Sequence, residues 1–191
     1  MSIEQLVKES YDEIKTTDLV QLISSGNVGS EFYATYLWNQ LKRYEIMEDW
    51  ARVGGGDLYE NIRELEQRDA LRDDFESVWK GILNKKRPPA VWTQACLDHC
   101  KQMKECVYSE EINSSMLLAH MYVLHVEQRM FSSLNANPPG SDRFLKVIDK
   151  SNELLARITP DMEEEVKQAI EHTKAMYSEI WNLPNLNKFG G

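Results

Sequence analysis

The amino-acid sequence predicts an all-α protein, on three observations. Its glycines and prolines fall into a few clusters, the segments between them carry apolar residues three and four positions apart, and no segment sustains the alternation of a half-buried strand. Ser2 with Gln5 has capping-box spacing, and Ile3, Leu6, Val7, Ser10 and Ile14 then share one face of a first helix. A second, Asp18 to Ser25, ends at Gly26. Beyond Gly26-Asn27-Val28-Gly29, Ser30 is the expected cap of a long helix with the stripe Tyr33, Leu37, Gln40, Leu41, Tyr44 and Met47, stopping at Gly54-Gly55-Gly56. Asp57 and Glu60 repeat the capping spacing. They open a charged stretch to about Gly81 whose apolar minority is Leu58, Ile62, Leu65, Leu71, Phe75 and Trp79, with Asp69 as a dividing point.

Lys85-Lys86-Arg87-Pro88-Pro89 reads as a connector, because a residue before proline is pushed out of the α region. A helix from about Ala90 to Tyr108 follows. Asn113 or Ser114 then opens the run Met116 to Phe131, apolar around most of its circumference and therefore expected at the centre of the protein. Pro138-Pro139-Gly140 marks a loop, after which Phe144, Leu145, Val147, Ile148, Leu154 and Leu155 resume helical spacing. Thr159 as cap and Pro160 at the first position start a last helix, with Met162, Val166, Ile170, Thr173, Tyr177, Ile180 and Trp181 on one face. Pro184 closes it. The expectation is about eight helices in one domain over residues 1–184, with 185–191 a frayed tail.

The 191 residues, 42% of them hydrophobic, suffice for one core. No segment approaches the ~18 uninterrupted apolar residues of a membrane span, so no membrane association is expected. Twenty-two Lys and Arg against thirty-one Asp and Glu leave a formal charge of −9, which repels phosphate backbones and argues against nucleic acid as a partner. The N-terminal segment lacks the pattern of an export signal, and three cysteines cannot make a disulfide scaffold, so the expected compartment is the cytoplasm.

Motif chemistry is sparse. The residues three and four before His99, His120, His125 and His172 are never carboxylates, so a helical Glu-x-x-His metal site is not expected. His120 and His125 are five apart, about 140° around a helix, and cannot share a ligand. Cys96, His99, Cys100 and Cys106 are the most metal-like group, yet they lack paired Cys-x-x-Cys knuckles, and buried thiols are the simpler reading. Nucleophile-elbow, P-loop and dinucleotide motifs are absent. Gly54-Gly55-Gly56 reads as a connector, since Asp57 would repel an anion there.

The segment Leu117-Leu118-Ala119-His120-Met121-Tyr122-Val123 resembles the Ala-His-x-Tyr helix of the heme oxygenases. Val7-Lys8-Glu9-Ser10-Tyr11-Asp12-Glu13-Ile14 is similar to that family's first helix, and Ile158-Thr159-Pro160 with Glu164 to Trp181 to its last. The resemblance implies a heme oxygenase-like bundle with heme, or another tetrapyrrole, between the first helix and the central one. It also exposes two departures. The family's proximal histidine falls on Lys15, whose ammonium has no lone pair for iron. Its distal Gly-Asp and Gly-Gly positions fall in His125-Val126-Glu127-Gln128-Arg129-Met130-Phe131-Ser132-Ser133, where Glu127, Gln128 and Phe131 are expected to fill the slot.

What the resemblance retains is a set of cations, Lys8, Lys146 and Lys150, at positions where the family holds propionates, with Asp12 where another cation would stand. Lys146 and Lys150, one helical turn apart, would face an anion together. Tyr11 and Tyr122 would donate hydrogen bonds into a cavity. The ligand-binding candidates are thus Lys8, Tyr11, Lys15, Tyr122, Glu127, Lys146 and Lys150. No catalytic residue and no metal ligand is assigned. The expected function is a diverged family member without heme cleavage, keeping a cavity for a tetrapyrrole or another planar anionic ligand. Two other classes stay open: an interaction protein using only the scaffold, whose protein partner the sequence does not identify, and a thiaminase-II-like enzyme using Cys96, Cys100 or Cys106.

Overall fold

The computed structural model describes residues 1–86, 91–109 and 114–190; the side chains of residues 57, 59, 61 and 62 also lie outside that description. Its helices are α1 (Ile3–Ile14), α2 (Asp18–Ser25), α3 (Ser30–Gly54), α4 (Gly56–Arg63), α5 (Arg68–Glu76), α6 (Gln94–Tyr108), α7 (Leu117–Ser133), α8 (Ser151–Leu155) and α9 (Glu163–Trp181). Short 3₁₀ turns at Ser114–Met116, Arg143–Leu145 and Pro160–Met162, and a π-helical turn at Ser77–Ile82, complete the chain.

The central layer is α3, α6, α7 and α9, with α6 and α7 each packed on the other three and α3 and α9 each packed on those two. At 1.5 Å per residue the 25 residues of α3 run about 37 Å, and Phe32, Tyr33, Tyr36, Leu37, Leu41 and Tyr44 are buried along it. Every residue from Leu117 to His125 is buried, so α7 is covered on all sides as its composition requires. Against this layer, α1 lies on α7 and α9, α2 on α9, and α5 on α3. Buried Asp74 on α5 accepts the Arg143 and Phe144 backbone N–H groups at 2.9 and 2.8 Å, pinning the loop after α7.

Local chemistry explains several boundaries. Ser2 Oγ accepts the Gln5 N–H at 3.1 Å, although the Gln5 side chain reaches forward to Glu9 instead of closing the box. Thr93 caps α6 by accepting the Cys96 N–H at 3.2 Å, later than the expected start at Ala90. Gly26 ends α2 in the left-handed region, φ 76°.

Four expectations are corrected. The cap of α3 is Gly29 and not Ser30, because the chain's end passes so close that a Cβ at 29 would lie 2.3 Å from the Asn187 carbonyl. The tail expected to fray is paired: Gly29 donates to Lys188 O and Gly190 to Asn27 O, both at 2.7 Å. The charged stretch divides after Arg63 and not at Asp69. Residues 146–150 form no helix, and Ile148, counted as part of an apolar face, is 71% exposed. The expected connector at Arg87-Pro88-Pro89 and the expected helix start at Asn113 lie outside the described residues.

Candidate functional site

Two polar regions sit on opposite sides of α7. The first is a cleft of about 340 Å³ between α1 and α7. From α1 it takes Lys8, Tyr11, Asp12 and Lys15, spaced to share one helical face, and from α7 it takes Tyr122, Val126, Arg129 and Met130. Asp149 closes one wall. At its base the Tyr11 hydroxyl donates to the Val123 carbonyl at 3.1 Å, so α1 touches α7 directly. Lys15 faces Asp12 at 3.5 Å, while Arg129 faces Asp149 at 3.8 Å and donates to the Val147 carbonyl at 3.3 Å. Burial raises the Tyr122 phenol above its ordinary value, so it is a neutral donor at pH 7.

The second region is closed to solvent. Glu127 and Arg43, both 0% exposed, form an ion pair in which Nη2 lies 2.8 Å from each carboxylate oxygen. Gln40 donates to the same carboxylate and accepts from Arg43, and the Tyr36 hydroxyl donates to Glu127 at 3.3 Å. Burial opposes the charge on Arg43 most strongly, but the Glu127 charge and hydrogen bond together with the neighbouring Tyr177 and Cys96 outweigh it and raise its pKa. Arg43 Nη1 also donates to Thr173 Oγ1 at 2.9 Å, satisfying a further donor.

From Arg43 a chain of contacts runs outward through His99 and His120 to Glu165, at 3.5, 2.9 and 2.7 Å. Its polarity follows from the network. Arg43 only donates, so His99 Nδ1 accepts; burial holds His99 well below its ordinary pKa, so its single proton is on Nε2 and is donated to His120 Nδ1. The remaining His120 proton, on Nε2, points to Glu165. The hydrogen bond from His120 holds the Glu165 carboxyl below its ordinary value. Cys106 lies 3.8 Å from that carboxylate, and burial followed by the Glu165 charge pushes its thiol up to about 12.

The seven candidates therefore separate. Lys8, Tyr11, Lys15 and Tyr122 meet in the cleft. Glu127 does not: it lies on the face of α7 with His120, Leu124 and Phe131, spaced four, three and four residues apart and turned towards the core. This corrects the expectation that Glu127, Gln128 and Phe131 fill the slot. Glu127 pairs with Arg43, Gln128 accepts from the Tyr44 hydroxyl at 3.3 Å, and Phe131 packs on Tyr36. Lys146 is 74% exposed beside Asp142, and Lys150 reaches Glu64 at 3.0 Å, so the two lysines do not face one ligand. The thiols of Cys96, Cys100 and Cys106 are all buried, which gives a substrate no approach to them.

Arg43 and Glu165 were not singled out from sequence, and His99 was grouped with the cysteines of its own helix instead of with His120. A usable signal existed: a glutamate inside a helix apolar all round needs a buried cation, and Gln40 and Arg43 stand one turn apart in the centre of α3.

No protein-family model matches the sequence, and a search of curated proteins finds no match. Solved structures do match. A heme oxygenase from Leptospira interrogans aligns with a TM-score of 0.70 and 16% identity over 94% of this chain and 100% of its own. Heme oxygenase-1 from the cyanobacterium Synechocystis sp. PCC6803, in complex with heme, aligns with a TM-score of 0.55 and 14% identity over 93% and 81%. The fold is thus heme oxygenase-like. Among the described residues no helix is long and apolar enough to cross a membrane.

The residues here do not fit the iron of a heme seated between α1 and α7. Among the described residues lining the cleft there is no imidazole or thiol, the Tyr11 hydroxyl is committed to the Val123 carbonyl, and burial keeps the Tyr122 phenol neutral.

Proposed function

We propose that this protein has the heme oxygenase fold without heme cleavage, and that its cleft binds a planar anionic ligand of the tetrapyrrole class with no bond to iron. The observation that carries the reading is the cleft itself: about 340 Å³ beside α1, with Lys8, Lys15 and Arg129 interleaved with Glu4, Asp12 and Asp149 beside Tyr11 and Tyr122. Its volume falls in the ~300–1,000 Å³ range of small-molecule sites. The ion pairs of Lys15 and Arg129 are long, and exposed pairs of this kind contribute ~0–1 kcal/mol, so ligand carboxylates can replace Asp12 and Asp149 at little cost.

The test uses biliverdin, an iron-free tetrapyrrole with two carboxylates, followed by quenching of tryptophan fluorescence. The expected result is saturable binding that the pair Lys8→Glu and Arg129→Glu weakens at least tenfold. Absence of binding contradicts the reading. That outcome would favour the alternative of a scaffold for protein interaction, which the filled interior around Arg43 and Glu127 supports.

A further inference from the structure

We propose that Cys106, His120 and Glu165 bind one divalent transition-metal ion of the zinc class, on the face of α7 turned away from the cleft. The three come from three helices: Cys106 from the last turn of α6, His120 from the first turn of α7, and Glu165 from the first turn of α9. One ligand atom from each lies within 4.8 Å of the other two, and among the described residues this is the group of such donors that converges.

The donor set suits the ion. Thiolate, imidazole and carboxylate together match zinc, cobalt or iron better than calcium or magnesium, which take oxygen. In a tetrahedral zinc site, bonds of ~2.0–2.3 Å place neighbouring donors roughly 3.3–3.6 Å apart. Cys106 Sγ already stands 3.8 Å from Glu165 Oε2. His120 Nε2, at 2.7 Å from the same oxygen, is a hydrogen-bond length too close. Glu165 is the member able to yield, because its side chain is 19% exposed while that of His120 is buried. Three protein ligands leave a fourth position for water, the arrangement of zinc sites that remain open.

The surroundings complete the case. Glu163 and Glu164 adjoin Glu165 in the first turn of α9 and Glu105 adjoins Cys106, so the approach is acidic. Gln102, half-buried, donates to Glu165 at 2.8 Å and accepts from His172 at 2.6 Å, orienting the carboxylate from outside. On the inner side His99 Nε2 faces His120 Nδ1 at 2.9 Å, within reach to become the acceptor a metal-bound imidazole requires once the proton between them reverses.

Binding has a defined proton balance. Cys106 loses its S–H proton to solvent, and the thiolate and the Glu165 carboxylate together neutralise the two charges of the ion. His120 turns Nε2 to the metal and carries its proton on Nδ1, now donating to His99 Nε2; His99 moves its own proton to Nδ1. This reversal gives up the 3.5 Å contact with Arg43, the longest link of the chain. One proton leaves per ion bound.

The experiment is titration of the whole chain, first freed of metal by chelator, with Co²⁺ and separately with Zn²⁺. We expect one ion per chain, a sulfur-to-cobalt charge-transfer band in the near ultraviolet, and tetrahedral ligand-field absorption. Cys106→Ser should abolish the charge-transfer band, and Glu165→Gln, which removes a direct ligand, should weaken binding by more than the ~10–100-fold typical of losing an outer-shell partner. Glu165 is partly exposed, so this variant tests the site even if the Cys106 change disturbs folding. Failure to bind either ion at micromolar concentration overturns the proposal. So does stoichiometric cobalt without the charge-transfer band, or binding indifferent to both substitutions.

Discussion

The two faces of α7 handle polarity in opposite ways. Towards the core, Glu127 is fully dehydrated and meets Arg43, Gln40 and Tyr36, so charge there is paid for by geometry. Towards α1, Tyr122 and Arg129 border a cleft whose ion pairs are long and reach solvent. Dielectric makes the difference. An ion pair in a dry interior roughly offsets its own desolvation while intact but costs several kcal/mol when one partner is lost, whereas an exposed pair is worth ~0–1 kcal/mol either way. The closed face therefore holds its partners fixed, while the pairs of the open face can be exchanged at little cost.

The sharpest way to break this contrast is to unpair the core. Arg43→Met alone leaves Glu127 as a buried lone carboxylate and should cost ~3–5 kcal/mol in urea unfolding, while the double variant Arg43→Met with Glu127→Leu should recover most of that loss. A single-variant cost below about 1 kcal/mol would mean the region is wetter than described.

Acid probes the seam between the regions. Buried His125 accepts the Lys150 N–H at 2.9 Å, and burial lowers its pKa to about 4 against 6.5 for a free imidazole. A depressed histidine pKa means the unfolded chain binds more protons between those values. Stability should be fully present above pH ~6.5 and fall by on the order of 1–3 kcal/mol towards pH 4. Thermal unfolding across that interval checks it, and His125→Gln should flatten the slope. Protonation also removes the acceptor that holds the start of α8, so the Asp149 wall of the cleft should exchange its amides faster at pH 4.5 than at pH 7.5.

Much of the fold was legible in the sequence. The 3.6-residue spacing, Gly26 and the all-apolar run of α7 locate the central elements, because burial of whole helix faces leaves a periodic trace. What failed was long-range. The tail's pairing with residues 27–29 depends on backbone groups far apart in sequence, and residues 146–150 have apolar spacing but are held as an irregular segment by Arg129 and His125. For the site, Lys8, Tyr11, Lys15 and Tyr122 were readable as one group. Glu127 was assigned to the wrong face because nothing local to α7 identifies Arg43 as its partner. Lys146 and Lys150 went astray with the helix expected to carry them.

Smaller effects sharpen the description of the open side. Tyr11→Phe removes the bond to the Val123 carbonyl and leaves that buried oxygen to its helical partner, at an expected cost of ~0.5–1.5 kcal/mol in denaturant unfolding. Smallest of all, Lys146→Ala should move stability by less than about 0.5 kcal/mol and leave biliverdin binding unchanged, since its side chain pairs with Asp142 in solvent.

The most direct measurement is a hemin titration followed in the Soret region, then addition of a reductant under air. With the Tyr11 hydroxyl committed to Val123, the Tyr122 phenol neutral, and no imidazole or thiol among the described residues lining the cleft, hemin should show no sharp, saturable Soret band of an axially held iron, and no bilin should form. A stoichiometric Soret shift that proceeds to bilin would contradict the account at its centre.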